Sequence, residues 1–437
     1  MTDAAPSAWR DHVINSLGRY WNKNSGPVRQ LPIPKRELPA NPTATAPSMV
    51  QMPLPDWAED LAIAGRLLVP QWAANEAGGR WDQADWLAIA FWYMENLAER
   101  EHESSGGSIH SFSFRLKGWD TRIWDRAWVN RIALFLRRWA AHGTRSEEVS
   151  LLGPPPKANI LLTHDVDAVT KTKAIRFKQA AFNAYNSLLS LRRLRVRQAI
   201  SNLAKACQFL WRTDEYWCFD QIRKMEDEAG RKSIFNFYAG KPGSQRSPRE
   251  CLMDPAYDIQ DERLRRELAK LCEDGWTIGL HPSYDAWADH QRFRSEKQNL
   301  ERTIGAEVGT CRQHWLRFSF GQTWQMQEAC GIRDDTTLGF NDRSGFRNST
   351  ALAWNPWNPA RQRTMDIRAT PMVLMDSHLY DYNTPSGEDR AKEIGKWVEE
   401  VEFVGGEATV IWHQRVFSRD YGWANGYKQL LSLLQTS

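Results

Sequence analysis

Beyond Pro156 the chain alternates short apolar runs with longer amphipathic segments. That alternation restricts the fold more than any other feature. The runs 160–165, 233–239, 277–281, 310–315, 332–336, 371–375 and 408–413 are strand-length and mostly apolar, as strands covered on both faces are. Helical segments separate them at 216–229, 261–274, 285–304, 324–330, 389–403 and 421–434, and Gly230, Gly275, Gly331 and Gly405 follow four of these, where a left-handed cap is expected. Strands joined through helices pair in parallel, so the reading is α/β with about seven β–α units. That number favours a closed or nearly closed barrel, with an open doubly wound sheet second; no glycine-rich phosphate loop follows the first strand, which counts against a nucleotide site there.

The first 156 residues have a different texture. Residues 1–50 are rich in Pro, Ala, Thr and Asn and read as an extended arm. Segments 82–101 and 124–141 carry apolar residues at helical spacing, with a Ser/Gly loop between them. Gly153-Pro154-Pro155-Pro156 stiffens the junction. The division is therefore an N-terminal arm and mostly helical accessory domain over 1–156, and a barrel over 157–437. Within the barrel, 170–213 is a helical insertion carrying Lys171, Lys173, Arg176, Lys178, Arg192, Arg193, Arg195, Arg197 and Lys205 among leucines. It reads as a solvated hairpin or as a peripheral contact with an anionic membrane or glycan.

A net charge of +4 over 437 residues gives no reason to expect a nucleic-acid partner. Six scattered cysteines without a CxxC pair fit a reducing compartment. No signal-like apolar core opens the chain and no run is long enough to span a bilayer, so a cytoplasmic protein is expected, with the inner membrane face as the place for any peripheral contact. The 22 tryptophans are expected to be mainly packing residues, with a minority available to stack on sugars.

In a parallel barrel the chemistry gathers where strands end. The first strand runs into Thr163-His164-Asp165-Val166-Asp167, and alternation puts Asp165 and Asp167 on one face. Two neighbouring carboxylates call for a cation or a shared proton. Other strand ends supply His281 with Pro282-Ser283-Tyr284, Arg312-Gln313-His314-Trp315, and Trp412-His413-Gln414; Asp376 and His378 follow a further strand as loop or cap residues. One carboxylate and two imidazoles would leave open positions on a zinc-like ion. A second carboxylate would take a proton from water, a separate His would return one to the leaving group, and an Arg would hold the base ionised.

These strand-end motifs resemble, in order, the first, second, third and fifth motifs of the polysaccharide deacetylases, carbohydrate esterase family four. The His164-Asp165-Val166-Asp167 form resembles a bacterial subgroup. That subgroup is also similar at Asp335-Thr336-Thr337-Leu338-Gly339-Phe340, Gly345-Phe346-Arg347 and Gly422-Trp423. The resemblance covers roughly 157–437 and implies a distorted (β/α)7 barrel that removes N- or O-acetyl groups from a sugar. It implies Asp165 as general base, Asp167 as metal carboxylate, His281 as first metal imidazole, Arg312 as tether of the base and His413 as general acid. The backbone N–H of Trp315 matches an oxyanion donor, and Trp315, Tyr284 and Trp412 are the expected substrate contacts. The chain departs from the pattern where Val166 splits the Asp pair, where Asp285 stands for the second metal His and where His314 stands for a Pro. We expect His314 to supply the missing ligand, giving Asp167, His281 and His314 around a divalent ion, zinc, with Asp285 as the alternative. A metal-free glycan-binding relative and a hydrolase of a non-sugar C–N bond are the competing expectations.

Overall fold

The computed structural model describes residues 5–38, 46–192, 194–211, 215–382 and 387–435. Parts of the expected arm (1–4, 39–45), of the insertion (193, 212–213) and of the barrel (214, 383–386, 436–437) lie outside them.

The apolar runs become the strands of one sheet. They are β1 (Asn159–Val166), β2 (Ile234–Phe237), β3 (Thr277–Leu280), β4 (Thr310–Cys311), β5 (Asp334–Asp335), β6 (Arg368–Ala369), β7 (Met372–Met375) and β8 (Glu407–Ile411). Their order is β6-β5-β4-β3-β2-β1-β8-β7. The α/β class with parallel pairing is borne out: β1–β2, β2–β3, β4–β5 and β5–β6 all run parallel. The strand count is eight rather than seven. The added strand, β6, is two residues long, too short to leave a periodic signal.

The chain forms two compact units, Met1–Leu161 with Gly309–Val410, and Leu162–Val308 with Ile411–Thr436. In the second, the register aligns Asp165 with Asn236 and Asn236 with Gly279, so these three share one face of β1, β2 and β3. The helices α5 (Phe219–Glu228), α6 (Glu262–Glu273) and α7 (His290–Ile304) lie between these strands and after them in sequence. Asp261 caps α6 and Asp289 caps α7 through their carboxylates. Gly230, Gly275, Gly331 and Gly405 have φ of +64°, +86°, +77° and +57°, as the helix-end reading expects. The insertion folds as two helices, α3 (Lys173–Arg192) and α4 (Val196–Trp211).

In the first unit, the helices α1 (Trp86–Met94) and α2 (Trp128–Thr144) pack with the 309–410 segment. Asn130 on α2 donates to the Ala351 carbonyl (2.7 Å) and accepts from the Ala351 N–H (2.9 Å). Glu95 accepts from the Trp354 indole and the Trp357 amide, both at 3.0 Å. Arg131 pairs with Glu400 at 2.7 Å. Trp86, Trp324, Trp354 and Trp397 are fully buried, so these tryptophans are core.

Two local expectations are corrected. The 1–50 arm contains a helix at Ala5–Ser16, which buries Trp9, Val13 and Ile14, and Leu17 is buried just beyond its end. The spacing of these four is helical and was hidden by the proline-rich stretch that follows. The 82–101 helix breaks at Asn96, whose φ of +53° is left-handed.

Candidate active site

The site residues within the second unit come from strand ends. Asp165, near the end of β1, is buried, and its Oδ1 accepts from the Asn236 amide at 2.9 Å. A side chain at 279 would collide with that amide, since a Cβ there would lie 2.2 Å from Asn236 Oδ1. Gly279 is the space in which Asn236 holds the acid. Sequence reading missed both residues; the signal was one polar side chain inside Ile234-Phe235-Asn236-Phe237, in register with the acid.

Asp167 lies two residues on, by the same alternation. Its Oδ1 is 3.3 Å from His281 Nε2 and its Oδ2 is 3.6 Å from His413 Nε2. Arg415 also pairs with Oδ2 through NH1. Burial opposes the charge of Arg415, yet Asp167 and Tyr421 raise its pKa above the usual value. Arg415 was not expected, although it stands two residues beyond His413.

The opposite parity is structural. His164 faces away from Asp165 and is fully buried: Nδ1 donates to the Trp412 carbonyl (2.6 Å) and Nε2 bonds Glu226 (2.8 Å). Glu226 also accepts from Ser233, Trp276 and Tyr427. Burial would raise its pKa, but His164 above all, with Tyr427 and Trp276, brings it below the usual carboxylate value. Trp412 is fully buried with its ring 5.6 Å from that of Tyr427, so its expected substrate contact is withdrawn.

His281 continues the β3 ladder through its N–H to the Phe237 carbonyl (2.8 Å). The following turn is held by Glu296 on α7, which accepts from the Ser283 N–H (2.8 Å) and hydroxyl (2.6 Å). Burial pushes the Glu296 carboxyl up to about 7, against those two bonds. The folded protein therefore binds a proton more tightly than the unfolded chain, and stability falls as pH rises from about 4.5 to about 7, by on the order of 3 kcal/mol. Glu296→Gln is expected to abolish that fall, as urea titrations at pH 5 and pH 7.5 would show. Tyr284, half-buried, donates its N–H to Asp254 (2.7 Å) and leaves its ring beside Arg249. Asp285 faces Arg249 at 3.1 Å, so the alternative ligand is engaged on the surface.

In the first unit, the remaining motifs build the Arg312–Trp315 turn. Arg312, fully buried, donates to the hydroxyls of Thr336 (3.2 Å) and Thr409 (3.4 Å), and the Gln313 N–H donates to Thr337 (3.0 Å). Asp335 orients this pair by accepting from Trp324, Gln327 and the Thr337 N–H. Trp315 and Leu316 are consecutive left-handed residues with φ of +57° and +47°. Such residues cost about 1–3 kcal/mol each and persist only where neighbours hold them. Here Asn341 donates to the Trp315 carbonyl (2.7 Å) and Ser111 to that of Leu316 (2.6 Å). His378 uses both ring nitrogens on backbone groups of Met375 and Phe340, as a cap residue does.

Within the second unit, Asp167 and His281 pair and offer a carboxylate and an imidazole to a metal ion. His314, the expected third ligand, is a buried residue of the first unit.

Similarity to known proteins is weak. No protein-family profile matches the chain, and no curated protein does at a significant level. Solved structures do match. One described as a polysaccharide deacetylase from Mycobacterium smegmatis is 15% identical, covering 64% of this chain and 88% of that one, with a TM-score of 0.37. A mutant CE4 family pseudoenzyme with restored enzymatic activity is 9% identical, with 65% of each chain covered and a TM-score of 0.31. A Puue allantoinase is 11% identical, covering 65% and 87%, with a TM-score of 0.37. At these scores the likenesses carry no argument, and the functional reading rests on the side chains.

Proposed function

We propose that this protein is a metal-dependent hydrolase that removes acetyl groups from an acetylated amino sugar in a polysaccharide or its precursor. The observation that carries the reading is the pairing of Asp167 with His281 in the second unit, with His314 proposed as the third ligand. The donor set fits a divalent ion. With metal–ligand bonds of about 2.0–2.1 Å, neighbouring ligands of a tetrahedral ion stand roughly 3.3–3.4 Å apart. Asp167 Oδ1 and His281 Nε2 are 3.3 Å apart. One carboxylate with two imidazoles suits zinc, which would polarise the acyl oxygen and acidify a water molecule when bound.

The rest of the chemistry belongs to the chain. Asp165, steered by Asn236, takes a proton from the attacking water as it adds to the acetyl carbon. His413 gives a proton to the departing sugar nitrogen or oxygen as the acyl bond breaks, so acetate and the freed amine or hydroxyl leave. In this reading Arg312 tethers the base and the N–H of Trp315 is the oxyanion donor. The half-buried Tyr284 ring is the proposed sugar contact. Acetate release from N-acetylated chitooligosaccharides and from O-acetylated sugars tests the reading, and release by neither class in the zinc-loaded protein would contradict it. His413→Ala should slow turnover by about 10²–10⁴-fold with metal content unchanged.

One observation favours a second reading. Arg415 already neutralises Asp167, as a metal-free glycan-binding relative would require. A chain that refuses zinc yet binds the same oligosaccharides would establish that alternative.

A further inference from the structure

The insertion is built inside out. Where α3 and α4 pack on each other, the buried residues are small or polar: Ala180, Ser187, Ala199 and Asn202. Ser187 donates to the Ala199 carbonyl across the pair at 2.8 Å. Most of the large apolar side chains point outward instead, while Phe209 is buried against the Tyr421 ring. On α3, Phe177 and Leu188 are 68% and 49% exposed; on α4, Ile200 and Leu203 are 64% and 54% exposed. Each helix thus carries an outward apolar stripe at three- and four-residue spacing (177, 181, 184, 188, 191 and 196, 200, 203, 207, 210). Ten of the fourteen exposed large hydrophobic residues among the described residues belong to this hairpin. At its tip Leu194 is 88% exposed and left-handed, with exposed Arg192, Arg195 and Arg197 around it.

The charge of this element has one sign. Residues 170–211 hold nine Lys and Arg and no Asp or Glu, which exceeds the net charge of the entire chain, so the remainder is net negative. Neither helix is long and apolar enough to cross a bilayer. Outward apolar stripes bordered only by cations suit one kind of surface, an apolar layer beneath anionic groups.

We propose that the α3–α4 hairpin docks the protein on an anionic lipid surface, with Leu194 and the two stripes entering the interface and the arginines at the tip meeting the headgroups. The hairpin begins six residues after Asp167 in the chain, so docking would bring the strand-end acids to substrates displayed at that surface. The docking itself does not depend on the hydrolase reading.

The test is flotation of the full-length protein with vesicles of phosphatidylcholine alone or with about 30% phosphatidylglycerol. The expected result is that most of the protein floats with the anionic vesicles and under a tenth with the neutral ones, and that 0.5 M NaCl lowers the bound fraction at least fivefold. A Leu194→Glu, Ile200→Glu, Leu203→Glu variant should lose flotation, and Arg192→Ala, Arg195→Ala, Arg197→Ala should weaken it on anionic vesicles. No flotation, or equal flotation with both vesicle types, overturns the proposal. So does a wild-type dimer that the Glu variant converts to monomer, because a second copy would then cover the face. Acetate release is not read in this experiment, so its failure and that of the hydrolase reading remain distinguishable.

Discussion

Asp165→Asn is expected to slow deacetylation by at least about a hundredfold while leaving metal content near that of the unchanged protein. A general base contributes about 10²–10⁴ in rate, and the amide cannot accept the water's proton. The change is close to isosteric, and Asp165 is separate from the proposed ligand set, so the loss should fall on turnover rather than on zinc. The Asn236 amide now donates to Asp165 Oδ1, and an amide at 165 can still present its oxygen there, so folding should survive. Zinc content by plasma mass spectrometry alongside acetate release checks both halves. A variant that retains more than a tenth of the rate would remove Asp165 from the role.

The largest expected effect on stability is elsewhere. Arg347 is fully buried and its Nε donates to Glu99, 3.2 Å away, while its NH1 donates to Ser111 and to the Gly339 carbonyl at 3.0 Å. Glu99 is buried as well. Arg347→Ala leaves that carboxylate without its cation, and breaking a buried pair from one side costs about 3–5 kcal/mol. Chemical denaturation should show a loss of that size in the first unit. Removing both charges, with Arg347→Met and Glu99→Gln, should restore part of it, since the penalty comes from the abandoned charge rather than from the pair. A loss under 1 kcal/mol in the single variant would contradict this account.

Arg347 also shows what motif reading delivers. Gly345-Phe346-Arg347 and Asp335-Thr336-Thr337 resemble family segments, yet their side chains serve packing: Arg347 binds Glu99, and Asp335 and its threonines hold the Arg312–Trp315 turn. The strand-end acids and imidazoles were legible because period-two alternation and parallel pairing fix which side chains share a face. Asp165, Asp167 and His281 follow from those rules. His314 was reached by asking which imidazole could replace the one that Asp285 displaces.

Other features left weaker signals. Asn236 and Gly279 matter only through the register between strands, which one sequence does not state. Arg415 is a cation in a turn until Asp167 is known to face it. Trp412 failed as a substrate contact because a residue flanking a site His takes the opposite parity and is buried against helix side chains. The helix at Ala5–Ser16 was masked by the prolines after it, and the insertion's inverted packing could not be read from composition, since its charges and leucines fit a solvated hairpin equally well.

The most direct test of the account is the metal content of the purified protein after zinc loading and removal of excess, measured with His281→Ala alongside. The account predicts about one zinc per chain in the parent, a thermal midpoint that falls when a chelator is added, and little bound zinc in the variant. A parent protein that retains no zinc, with a midpoint indifferent to the chelator, would contradict it.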